Sequence, residues 1–462
     1  MYNDKMKNPL LVFLSLLTLS TLLYFYKFPQ MAAFDADQDY YALQYVEIFQ
    51  KGKPTLLGIE ASVGGVFVAP LYTYFTSLVY AVSAGNPLGV FLVTIIIASL
   101  QGSLTYLLFF RLTGQKTGVI AGLLVIFSHA LWLKAFAPSV IGLMYLSGLF
   151  FFYYLATLPK NPKNILVLAF ICGISLSLHI SVFAFIPITI IYLLWKKPRN
   201  IKAKNYVLAA LIFLLLASPL ALFDIRHNFY LTQNLITFFT KSTQNSDVNY
   251  IDNASRVFKS IFNTFAAFLI PQAFLAKLLI IFTIPYLLIK FRRDANTTTA
   301  VFIIGTSFLM FTFYLGRFSD YYFYFLLAPF LFIITSALSA LFSTQNLRIA
   351  SVGLITIILI LNFQAIQKTF NPYNYFTKQE AVGYIKSQVG ESKTKIHFDT
   401  NPGQGVGFNY LFILNGLNLS DSPQNTYQIS IKNIQPKSGK MFGQKGADAI
   451  RVIKLNLKTD PR

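Results

Sequence analysis

The chain is a succession of apolar runs separated by short polar breaks. Runs at 9–26, 87–110, 117–135, 139–157, 164–179, 181–195, 205–223, 273–290, 298–315, 322–342 and 347–366 approach the length that lets a helix cross a bilayer. A helix satisfies its own backbone groups in lipid, so the pattern predicts an all-α polytopic membrane protein of about 11 transmembrane helices. Two further stretches are amphipathic and aromatic. PLYTYFTSLVYAVSA (70–84) and SRVFKSIFNTFAAFL (255–269), the latter with Phe258, Ile261, Phe262, Phe265 and Phe268 on one face, predict interfacial helices in the first and fourth outer loops. Beyond residue 369 the pattern turns polar. A helix at 378–389 and strands at 395–400, 426–431 and 449–455 predict a small α/β domain, dividing the chain into a membrane domain (1–370) and a C-terminal domain (371–462).

Composition agrees with a membrane protein and removes other classes. Hydrophobic residues make up 55% and charged residues 12% of the chain, and the mean hydropathy is +0.56, outside the range of soluble domains. The formal charge of +21 does not point to nucleic acid, because the lysines and arginines sit in short clusters between apolar runs. Those clusters, at 111–116, 160–163, 196–204, 290–293 and Arg348, predict cytoplasmic loops and a cytoplasmic N-terminus. The C-terminal domain is then extracytoplasmic, on a multi-pass protein of the plasma membrane. The first run follows Lys5 and Lys7 and lacks a small-residue cleavage site, so it reads as a signal anchor. Cys172 is the single cysteine, which excludes a disulfide framework or a cysteine metal site and leaves the redox compartment open.

Only 17 residues are acidic, yet FDADQDYY (34–41) contains Asp35, Asp37 and Asp39. If this piece is extended, the three carboxylates share one face and repel one another, a state suited to a general base or to a divalent cation. A solvated acidic loop is the plainer alternative. In FDIRHNF (223–229), Asp224, Arg226 and His227 form a charged set at a helix end, where an arginine can hold phosphate oxygens or simply pair with the aspartate as a cap. GRFSDYYFY (316–324) contributes Arg317, Tyr321 and Tyr322, which also suit an aromatic belt. His179 lies between two apolar runs, and Lys134, near another helix end, can snorkel to the surface. No Walker, HExxH or GxSxG motif is present.

The order of these motifs resembles the GT-C integral-membrane glycosyltransferases, in the bacterial branch related to protein O-mannosyltransferases and the lipid A aminoarabinose transferase. The resemblance covers roughly residues 1–370 and rests on DQDYYAL, VAPLYTYF (68–75), LSLHISVF, FDIRHNF and GRFSDYYFYFLLAP. Asp37 takes the leading acid of the first-loop motif, while the second-acid position falls on Tyr41. The resemblance implies inverting transfer from a polyprenyl-phosphate-linked sugar donor to a lipid, glycan or protein acceptor at the outer membrane face. It implies Asp37 as base with Asp35 or Asp39 as helpers. Arg226, His227 and Arg317 would bind the donor phosphate, and His179, Tyr321, Tyr322 and Asp224 would line the pocket among membrane lipids. A divalent metal fits an aspartate cluster but is not required by the resemblance. The competing classes are a transporter or flippase of lipid-linked saccharides and a non-catalytic assembly subunit. The first predicts carboxylates inside the apolar runs, where this chain has none, and the second leaves the acidic cluster without a role.

Overall fold

Asn8 and Pro9 start the first long helix, Pro9–Tyr26. The Asn8 side chain accepts from the Leu11 N–H, and proline has no N–H to leave unpaired at this position. The computed structural model describes residues 8–61, 64–198, 201–244, 250–272, 274–277, 280–281, 294–314, 316, 318–400, 407–431, 439–445 and 448–455. Among them, six helices are long and apolar enough to cross a membrane: Pro9–Tyr26, Pro87–Thr113, Ala203–Arg226, Ala295–Thr312, Tyr321–Phe342 and Arg348–Lys368. Each coincides with an expected span. Tyr321–Phe342 is central, with 72% of its apolar window buried, whereas Ala203–Arg226 is peripheral, with 6% buried.

Four other expected spans are shorter helices: Gln115–Phe127, Ile141–Thr157, Asn164–Ser175 and Ile180–Lys196. A 12-residue helix such as Asn164–Ser175 is about 18 Å long, well under the roughly 30 Å of a hydrocarbon core. The expected run at 117–135 breaks at Ser128, whose backbone is extended and whose hydroxyl donates to the Phe268 carbonyl at 2.9 Å; a separate turn, His129–Lys134, follows. Most of the span expected at 273–290 lies outside the described residues, among which six long and four short helices stand where eleven were expected.

Both interfacial stretches are helical, as Leu71–Val82 and Tyr250–Leu269. The second buries Ile261, Phe265 and Phe268 but leaves Phe258 exposed, so its packed face is turned toward Val257 and Thr264. Gly148 lets the segment Asp320–Leu326 approach helix Ile141–Thr157, because a Cβ there would meet the Phe325 backbone.

The C-terminal domain is a four-stranded sheet, β1 (Thr394–Thr400), β2 (Asn425–Ile431), β3 (Lys440–Lys445) and β4 (Asp448–Leu455), in the order β1-β2-β4-β3. β1 and β2 are parallel, with helix Asn409–Leu414 in the connection between them, and the remaining pairs are antiparallel. Helix Tyr375–Val389 packs on β3 and β4. The domain is seated on the start of the first loop. The Tyr375 N–H donates to the Ala32 carbonyl at 2.6 Å, Phe34 and Phe91 pack on the Tyr375 ring, and Tyr410 donates its hydroxyl to the Gly85 carbonyl at 2.6 Å.

Lys27 fastens the same end of the bundle. Its ammonium donates to the Gln367 and Thr369 carbonyls at 2.7 and 3.3 Å, a cation at the negative C-terminal end of helix Arg348–Lys368. Lys116 and Arg348, by contrast, lie over the Phe342 ring at the far end of the central helix.

Candidate active site

FDADQDYY is not extended. Residues Ala36–Tyr45 form a helix with Asp35 as its N-cap, and the Asp35 N–H donates to Gln38 Oε1 at 2.8 Å, as in a capping box. The three carboxylates therefore do not share a face. Asp35 and Asp39 are four residues apart and about 40° apart around the helix, while Asp37 points roughly the opposite way. Gln38 in turn donates to the Pro138 carbonyl at 3.0 Å, which fixes the helix against the bundle.

On one face, Asp39 is only 4% exposed and accepts from the Tyr410 N–H at 2.8 Å. Burial raises its pKa, partly offset by the amides of Tyr410 and Asn409. Asp35 is reached by Lys378, whose ammonium donates to Asp35 Oδ1 at 3.2 Å and to the Phe34 carbonyl at 2.6 Å. Both carboxylates are thus engaged by the C-terminal domain. Asp39 serves as an anchor in place of the helper role expected for it.

On the other face, Asp37 is half-buried and accepts no hydrogen bond from the described residues. Burial, and then the neighbouring Asp35 charge, raise its pKa above the ordinary carboxylate value. It lies within electrostatic reach of the Tyr41 and Tyr72 hydroxyls. Those two rings meet edge to face at 5.0 Å, so the second-acid position of the motif is filled by a buried aromatic pair.

Tyr72 leads to the second half of the site. With Gln101, Ser139 and Lys134 it lines a narrow enclosed pocket between the interfacial helix and the bundle. Lys134 Nζ lies 6.0 Å from the centre of the Tyr321 ring and 5.9 Å from that of Tyr324. Tyr321 and Tyr322 stand edge-on to His179, at 5.3 and 4.7 Å. His179 Nδ1 accepts from the Ser181 N–H at 3.1 Å, so the neutral ring carries its proton on Nε2. That Nε2 is buried and has no partner among the described residues. It shares this state with the Trp132 Nε1 and Tyr322 hydroxyl groups, and each can be met by water or by a ligand. Next to it, Ser181, Tyr314 and Tyr322 stand at the edge of an otherwise apolar cleft of about 330 Å³.

The FDIRHNF motif lies elsewhere. Asp224 accepts from the Leu231 and Thr232 N–H groups at 2.7 and 3.2 Å, so its carboxylate caps the following helix and does not line the pocket. His227 stacks on Phe223 at 3.9 Å and bonds its carbonyl, and Arg226 is exposed at the end of the peripheral helix. Arg317 lies outside the described residues. Arg256 donates to the Gly316 carbonyl at 3.0 Å and covers the Phe318 ring.

Two residues outside the expected set join the site. Lys134 is central, and its place between two expected halves follows from the break at Ser128, which no local apolar pattern announces. Lys378 enters from a separate domain. Among the described residues, no group of three His, Cys, Asp or Glu side chains is gathered as metal ligands, since helix formation parts the three aspartates.

The described residues form a helical bundle with a carboxylate helix after its first span and an α/β domain seated on one end. Residues 68–223 match the family model of dolichyl-phosphate-mannose-protein mannosyltransferase. The whole chain superposes on ArnT from Cupriavidus metallidurans bound to undecaprenyl phosphate with a TM-score of 0.62 at 10% identity, covering 97% of this chain and 99% of that one. The apo state of the same enzyme gives 0.59 at 10% identity, covering 95% and 97%. No curated protein matches the chain in sequence. This likeness bears out a mostly helical fold with a small C-terminal sheet domain.

Proposed function

We propose that this protein is an inverting glycosyltransferase that moves a sugar from a polyprenyl-phosphate donor to a hydroxyl of a lipid, glycan or protein acceptor at the outer face of the membrane. The observation that carries the proposal is Asp37. It alone of the three clustered carboxylates accepts no hydrogen bond from the described residues, and its charge acts on Tyr72, a residue of the pocket that Lys134 also lines. Asp37 takes the proton of the acceptor hydroxyl as its oxygen bonds to the anomeric carbon. The bond from that carbon to the phosphate oxygen breaks on the opposite side, and polyprenyl phosphate leaves with the electron pair. Lys134 and the His179 Nε2–H supply a cation and a donor for the departing phosphate, and Tyr321 and Tyr322 set their positions.

The ArnT relative was crystallised with undecaprenyl phosphate, which supports a lipid phosphate of that type as the leaving group. The outward orientation rests on the basic residues at the end of the bundle opposite the C-terminal domain. The test uses liposomes containing the protein, undecaprenyl phosphate carrying a radiolabelled hexose or pentose, and a native membrane extract as acceptor source. Release of undecaprenyl phosphate with labelled product of inverted anomeric configuration is expected. Movement of intact donor across the bilayer without release contradicts the proposal and favours a flippase.

A further inference from the structure

The docking of the C-terminal domain gives one of its residues a part in the chemistry. Lys378 sits on helix Tyr375–Val389, and its side chain is 2% exposed. It is roofed by the Phe408 ring, 5.0 Å from its Nζ. A lysine so buried keeps its charge only when partnered, and its partners include the Phe34 carbonyl and Asp35 Oδ1. These two groups are the last residue before the Asp37 helix and the N-cap of that helix. Gly407 closes against the same Phe34 carbonyl, where a Cβ would clash, so the polypeptide fits tightly around the ammonium.

We propose that Lys378 is a positioning residue for Asp37: from the C-terminal domain it fixes the start of the Asp37 helix and offsets the charge of the neighbouring Asp35. The proposal rests on the reading of Asp37 as the base. The ionisable groups around Asp37 are Asp35 and Tyr41 on its own helix and Tyr72 from Leu71–Val82. Lys134 lines the far side of the Tyr72 pocket, and Lys378 and Asp39 lie behind Asp35. Of the cations, Lys378 is the one in contact with the like charge beside the base. The C-terminal domain then tunes the base, and its seating decides whether the base works near neutral pH.

The experiment follows the Asp37 carboxyl itself, independent of donor or acceptor. In full-length protein in lipid nanodiscs, pH-difference infrared spectra give the protonation midpoint of the carboxylic acid band that Asp37→Asn removes. Lys378→Met is expected to raise this midpoint by roughly one pH unit, and Lys378→Arg to leave it near the native value. Adding Asp35→Asn to Lys378→Met is expected to bring the midpoint back down, by more than Asp35→Asn lowers it in the native background. An unchanged midpoint in Lys378→Met overturns the proposal, as does a double variant that keeps the raised value. If Lys378→Met fails to fold, Lys378→Gln takes its place, with the same expected rise and the same overturning result. Loss of the base reading is seen separately, as sugar transfer retained by Asp37→Asn.

Discussion

Tyr410 of the C-terminal domain donates its backbone N–H to the carboxylate of Asp39 at 2.8 Å, across 371 residues of sequence, and neither group is open to water. The bond ties the end domain to the carboxylate helix. Asp39→Ala leaves a buried N–H without an acceptor, at a cost of about 1–3 kcal/mol. Asp39→Asn keeps an acceptor oxygen and costs less. Thermal unfolding in detergent is expected to rank native, Asn and Ala in that order, and easier proteolysis around residues 371–407 is expected to accompany the loss.

Asp37 predicts the opposite sign. Its pKa is raised by burial and then by Asp35, so folding favours its protonated form. The stabilising contribution is fully present below the unfolded pKa and is lost as pH rises through the folded one. At neutral pH the ionised carboxylate is therefore a small burden on stability, and Asp37→Asn is expected to melt at or above the native temperature. Transfer activity should fall on acidification along a limb lying above the ordinary carboxylate range. A limb at the ordinary aspartate value would contradict the buried environment.

Under the proposed function, Lys134 and Arg226 are alternative cations for the donor phosphate. Lys134 lies by the aromatic rings around His179, while Arg226 is exposed on a peripheral helix. Lys134→Gln is expected to lower kcat/KM for the lipid-linked donor by about 10- to 1,000-fold, the range seen when a charge-stabilising donor is removed. Arg226→Gln is expected to change it less than threefold. The reverse ranking would return the phosphate to FDIRHNF.

Asp224 gives a structural control. Its carboxylate caps the helix Tyr230–Gln244 through two backbone N–H groups, so Asp224→Ala is expected to cost about 1 kcal/mol with little effect on transfer. A large loss of kcat in a protein of near-native stability would restore Asp224 to the pocket.

The apolar pattern carried the bundle well, because a bilayer imposes its length requirement on each run separately. It was less informative where tertiary contacts decide. The break at Ser128 depends on the Phe268 carbonyl more than a hundred residues away, and β3 is a polar, glycine-containing strand held by pairing to β4. The aspartate cluster was legible as a concentration of charge but not as a geometry. Considering it as extended or as a loop passed over a local cue, since Asp35 followed three residues later by Gln38 is a capping-box pattern. A helix separates Asp37 from its neighbours, where a strand would have joined them. Lys378 was hidden for another reason: no sequence pattern says where a separate domain will sit.

The most direct test of the account is sugar transfer by Asp37→Asn and Asp37→Ala in liposomes, against the native protein and Asp39→Asn. The account predicts that both Asp37 variants fold and insert normally and lose at least a hundredfold in kcat, the scale of general-base catalysis, while Asp39→Asn retains most of its transfer. Native rates in both Asp37 variants would contradict it.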